Sequence, residues 1–153
     1  MFELKVKKGA IHPSDAGKLS LKELKENIIK LHPISIYNLS IGIFNKEPNK
    51  KEEALFWYYV GALRYRIRLE VIGSYDDRDP EMFYFNKIEF EYKPILLEWA
   101  KDDINKWINS IKKAIEWNKN NDNYYTDRVE YKNIENNIME EFNYLIKALK
   151  EIN

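Results

Sequence analysis

The chain contains no cysteine. Disulfides, thiolate metal sites and cysteine nucleophiles are excluded together, and the absence fits a reducing compartment. Histidine is nearly as scarce. His12 and His32 are the only two, each is followed by proline, and neither falls into HExxH or another metal-ligand spacing. His12 reads as an ordinary surface residue in a loop. Five glycines lie scattered singly, so there is no glycine-rich phosphate loop. Net charge is also missing: 25 basic residues balance 25 acidic ones, which argues against a general nucleic-acid binder with its strongly basic face. No apolar run is long enough to span a bilayer. The start, MFELKVKKGAIHP, lacks the apolar core of a signal peptide. A cytoplasmic protein without membrane association is the simplest expectation.

What is present describes a folded domain. The chain has 153 residues, 44% hydrophobic and 33% charged, enough to bury a core without staples and too apolar to be disordered. No linker divides it, so residues 1–153 read as one domain with residues 1–19 as an N-terminal arm. Charge is uneven along the chain. Residues 1–75 carry 13 Lys/Arg and 8 Asp/Glu, and residues 76–153 carry 12 and 17. Such a split can draw the halves together or steer a charged partner.

The organising stretch is NKKEEALFWYYVGALRYRIRLEVIG, residues 49–73. Asn49 is expected to cap a helix, with Glu52 completing a capping box and Glu53 favouring the positive dipole end. Gly73 is expected to close it in the left-handed conformation. Two apolar stripes adjoin: Phe56, Tyr59, Val60, Leu63, Ile67, and beside them Tyr58, Ala62, Tyr65, Leu69. A helix this broadly apolar must be covered on more than one side. The remaining row is Glu53, Trp57, Gly61, Arg64 and Arg68, in which Gly61 would let another backbone come close. This row has two readings. In one, Trp57 packs on a neighbouring helix while the arginines reach solvent or pair with the acidic half. In the other, Trp57, Arg64 and Arg68 form an exposed anchor patch, since tryptophan and arginine are enriched where interfaces carry their energy.

Around it the pattern is helical. Phe2, Leu4 and Val6 alternate with polar residues, as in a short strand or extended arm. Ser20 to Glu23 fits a capping box opening a helix with Leu21, Leu24, Ile28 and Leu31 on one stripe, ended by Pro33. Residues 35–44 form a shorter helix, making a hairpin with the central one. Asp79-Pro80-Glu81 is a standard helix opening; residues 82–92 also alternate like a strand, and the opening favours helix. A short helix over 94–100 follows, then one capped by Asp102 or Asp103. Residues 118–123, NKNNDN, read as a polar loop. The last helix repeats at Ile134, Ile138, Phe142, Leu145, Leu149 and Ile152. The expected fold is all-α, a single bundle of about six helices.

No catalytic constellation emerges, and no cofactor is implied. A serine–histidine–acid site assembles in space, but nothing marks one. Asp76, Asp77, Asp79 and Glu81 cluster as hard-cation ligands do, yet without an EF-hand's spacing and glycine; no metal site is expected. Adjacent pairs such as Asp102–Asp103 and Glu140–Glu141 point apart on a helix and do not converge as an acid–base pair must. Arg64, Arg66 and Arg68 with Tyr58, Tyr65 and Trp57 suggest base stacking, but half of those aromatics lie on buried stripes.

Two resemblances sit on the central hairpin. Trp57-x-x-Val60-Gly61 echoes the Trp-x-x-Leu-Gly start of a tetratricopeptide repeat, with Arg64 where tyrosine is usual. EEALFWYYVGALR also looks like helices of tetratricopeptide and Sel1-like repeats, although no second copy recurs. More broadly, EALFWYYVGALRYRIRL with ILLEWAKDDINKWI and AIEWN resembles small cytosolic helical immunity proteins of bacterial polymorphic toxin systems, over residues 34 to 120. That resemblance implies a non-enzymatic protein that occludes a cognate toxin by direct contact; the alternative is a tetratricopeptide-like adaptor holding a peptide. The contact residues expected are Trp57, Arg64 and Arg68, with Asp76, Asp77 and Asp79 facing a basic, nuclease-like toxin.

Overall fold

In the computed structural model, described over residues 6–152, the chain is an all-α bundle. Its elements are α1 (Pro13–Ala16), α2 (Leu21–Glu26), α3 (Pro33–Lys46), α4 (Lys51–Ile72), α5 (Pro80–Glu91), α6 (Lys93–Ala100), α7 (Ile104–Asn120) and α8 (Lys132–Ile152). Single 3-10 turns at Ile28–Lys30 and Pro48–Lys50 join α2 to α3 and α3 to α4. Seven helices exceed one turn, close to the six expected. Residues 82–91 are helical, as their opening implies. The alternation at Phe2 and Leu4 lies outside the described residues.

Helix α4 is the axis. It packs on α3, α7, α8 and α5, and Ala54, Leu55, Val60, Leu63, Tyr65 and Ile67 are buried on its several sides. Both stripes are therefore covered, because a helix apolar nearly all round leaves its surface in water unless neighbours surround it. Gly61 faces α3, where an added Cβ would stand 2.9 Å from Tyr37 Cδ1 and 3.3 Å from its backbone nitrogen. The hairpin partner does come close there. Gly73 closes α4 with φ 69°, and the amide of Ser74 reaches back to Leu69 O at 3.0 Å.

Several boundaries depart from expectation. Asn49 does not cap α4. The cap position is Lys50, without a side-chain bond, since Pro48–Lys50 is already wound as a 3-10 turn that carries the chain into the helix. The helix opened by the Ser20 capping box stops at Glu26. Leu31 is extended instead, and forms an isolated parallel bridge with Ile11. Pro33 therefore starts a helix and does not merely end one: its fixed φ and missing N–H suit the first helical position. At the far side, residues 118–120 belong to α7, and Asn118 is fully buried. Only the segment after it behaves as a loop.

Candidate functional site

The expected contact residues divide into three environments. Trp57 lies half-buried, edge-on to Trp117 with ring centres 5.6 Å apart, and its indole N–H reaches Glu53 at 3.4 Å. Arg64 is 1% exposed. Its Nε donates to Asn118 Oδ1 at 3.0 Å, its Nη2 to Asn121 O at 3.0 Å, and its guanidinium stacks over Trp117 at 4.6 Å. Burial, with the nearby Arg128 charge, lowers its pKa to about 9. The exposed patch of Trp57, Arg64 and Arg68 is thus corrected: Gly61 and Arg64 turn toward neighbouring helices, so the row is an interior seam. Arg66 spans to Glu141 of α8 at 2.7 Å and Arg68 to Glu81 of α5. Pairing with the acidic half describes these two arginines.

The acidic stretch after α4 remains largely outside. Asp76 and Asp77 are exposed, Asp76 held by Arg78 and Asp77 by Asn86. Asp79 is half-buried and caps α5 by accepting from Glu81 N at 3.0 Å. Among the described residues no three His, Cys, Asp or Glu are grouped to hold a metal ion.

A cavity of about 500 Å³ opens where three helices begin and a fourth passes. His12 and Pro13 open α1, His32 and Ile34 open α3, Pro80 and Glu81 open α5, and Tyr65 and Arg68 come from the second half of α4. The two histidine–proline starts lie side by side because Ile11 N donates to Lys30 O at 2.8 Å and Ile11 bridges Leu31. Each ring caps its own helix. His12 Nδ1 accepts from Ser14 N at 3.1 Å, and His32 Nδ1 from Ile34 N at 3.0 Å. This repeated device was visible in the sequence as His-Pro twice; its capping geometry was not.

His32 is buried, and its Nε2 donates to Glu81 Oε1 at 3.1 Å. Arg68 Nε and Nη2 donate to the same oxygen at 3.0 and 2.9 Å. Burial lowers the His32 pKa despite the carboxylate, so the ring is neutral with its proton on Nε2. For Glu81, burial acts upward, but His32 and Arg68 outweigh it and hold the carboxyl at about 2. Burial and Glu81 together push the Tyr65 hydroxyl up. Tyr125 completes the wall, donating to Ile11 O at 2.6 Å and lying 5.6 Å beneath the Arg68 guanidinium. With both ring nitrogens engaged, His32 has no lone pair to take a substrate proton or bind a metal. Of the residues that the sequence singles out for partner contact, Arg68 lines this cavity and Asp79 does not; His32, Tyr65 and Tyr125 are not among those singled out.

A second surface lies on the outer side of α5. Phe83 and Phe90, seven residues apart on one row with Lys87 between them, are 51% and 86% exposed. The opposite side of the same helix buries Phe85. Comparisons with protein-family models, curated proteins and solved structures find no match to this chain.

Proposed function

We propose that this chain is an immunity-type protein that binds and blocks a cognate bacterial toxin in the cytoplasm. The observation that carries the reading is the outer row of α5. Phenylalanine in water costs about 1.5–3 kcal/mol relative to burial, and this helix leaves Phe83 and Phe90 exposed while already spending Phe85 on the core. Residues 74–91 around it hold six acidic and two basic side chains. Exposed aromatics rimmed by negative charge suit a protein partner with an apolar, basic contact surface. A peptide groove between α3 and α4 finds less support, because Tyr37, Tyr58 and Tyr65 already fill that seam.

Co-expression with a toxin encoded beside this chain tests the proposal. Growth should be rescued and the two proteins should co-elute on gel filtration. Phe83→Ser with Phe90→Ser should weaken the complex by roughly 100-fold, as loss of two contact aromatics does. Persistent toxicity without a complex rejects the function, whereas rescue unaffected by the double variant rejects the surface.

A further inference from the structure

The cavity at the three helix starts is separate from the outer row of α5, since neither Phe83 nor Phe90 lines it. Its volume, about 500 Å³, falls in the range of roughly 300–1,000 Å³ typical of small-molecule sites. Three helices each supply two lining residues about one turn apart: Ile34 and Asn38, Tyr65 and Arg68, Glu81 and Tyr84. Rings make much of the wall, from Tyr65, Tyr84, Tyr125 and His12.

Charge inside the cavity cancels. Arg68 is engaged by Glu81 through two nitrogens, and His32 is neutral. A phosphate or carboxylate would meet the Glu81 carboxylate, whose charge already offsets that of Arg68 through two nitrogens, and a cation would compete with Arg68. Hydrogen-bonding capacity does remain. The Asn38 amide and the Tyr84 hydroxyl are on exposed side chains at the cavity's edge, open to a ligand, and Arg68 Nη1 is buried without a partner. Aromatic faces with a few spare donors and acceptors complement a flat ring that carries both at its edge.

We infer that this cavity binds an uncharged planar heteroaromatic ring of the nucleobase class, resting on the tyrosine rings with its polar edge read by Asn38. The test is ligand-observed NMR and calorimetry on the full chain with adenosine and uridine, using ribose and inorganic phosphate as controls. At least one nucleoside should bind saturably with Kd below about 1 mM, and ribose should not. Asn38→Ala and Tyr84→Ala alter half-open positions of the cavity, and circular dichroism checks that each folds. Asn38→Ala should weaken binding roughly tenfold, the value of one hydrogen bond, and Tyr84→Ala by a similar factor. Absence of saturable nucleoside binding, binding of phosphate alone, or nucleoside binding unchanged in both folded variants overturns the assignment.

Discussion

Arg64 and Arg68 stand one turn apart on α4, the first buried and the second half-buried at a cavity wall. Their surroundings differ. Arg68 faces a carboxylate that takes two of its nitrogens. Arg64 has only neutral oxygens within hydrogen-bond reach, Asn118 Oδ1 and Asn121 O, together with the face of Trp117. The same Asn121 carbonyl accepts from Arg128 Nη1 at 2.9 Å, and Arg128 in turn holds buried Glu135. One carboxylate therefore serves two arginines on that side, directly for Arg128 and at a remove for Arg64. Burial, with the nearby Arg128 charge, lowers the Arg64 pKa, yet at about 9 it stays protonated near neutrality. A buried cation can thus be kept by dipoles and a ring, or by an ion pair. The first arrangement ties the α7–α8 connection to α4, and the second builds a cavity wall.

Removing the guanidinium with neutral partners should cost most. Arg64→Ala leaves Asn118, Asn121 and a large void unfilled, and about 4 kcal/mol of stability should go. Urea unfolding would read this directly. Next comes Glu81→Ala, expected to cost about 3 kcal/mol by leaving Arg68 buried without its counter-ion. Replacing both members, as Arg68→Leu with Glu81→Leu, should recover most of that loss, because the penalty is the orphaned charge. A double variant no more stable than Glu81→Ala would show that the pair is structural in another way.

The smallest effect is titration of the cavity side. His32 has a folded pKa below its ordinary 6.5, so the unfolded chain takes up the proton first. Stability should fall as pH drops through 6.5, and the slope should be reduced in His32→Gln. Glu81 acts in a separate window. Its contribution is complete above its ordinary 4.5 and is lost as pH falls toward about 2. Urea midpoints measured from roughly pH 7.5 down to about pH 3 distinguish the two steps.

How much of this was legible depended on whether a feature is local. The periodicity of α4, α7 and α8, the Asp79-Pro80-Glu81 opening and the Gly73 stop are short-range signals, and each is found, although α4 starts beyond Asn49 and α7 runs on through Asn120. Trp57, Arg64 and Arg68 share a row for the same reason. What the row faces is set by partners 13 to 57 residues away, such as Glu81, Asn118 and Asn121. Residue type favoured exposure for arginine, and tertiary pairing overrode it. Asn118 sits in a run of asparagine and lysine that reads as solvated, although its amide is the buried partner of Arg64. His32 falls in no metal-ligand spacing and so carries no sequence signal; its partner Glu81 is 49 residues on. Only the recurrence of His-Pro hinted that two helix starts share one design.

The pairing of those two starts also has a bearing on the order in which the chain comes together. Ile11 is held to Lys30 and by the Tyr125 hydroxyl, Tyr124 N donates to Ile29 O at 2.9 Å, and Lys7 N donates to Tyr124 O at 2.8 Å. The bonds of Tyr124 and Tyr125 in this cluster span from 95 residues (29 to 124) to 117 residues (7 to 124), whereas the α3–α4 hairpin joins neighbours in sequence. Closing so long a loop costs more entropy than closing a short one, so the hairpin is expected to form before this cluster. The cavity takes Tyr125 from this cluster as part of its wall and residues from α1, α3, α4 and α5 besides, so it is expected to be complete only after those distant segments have met.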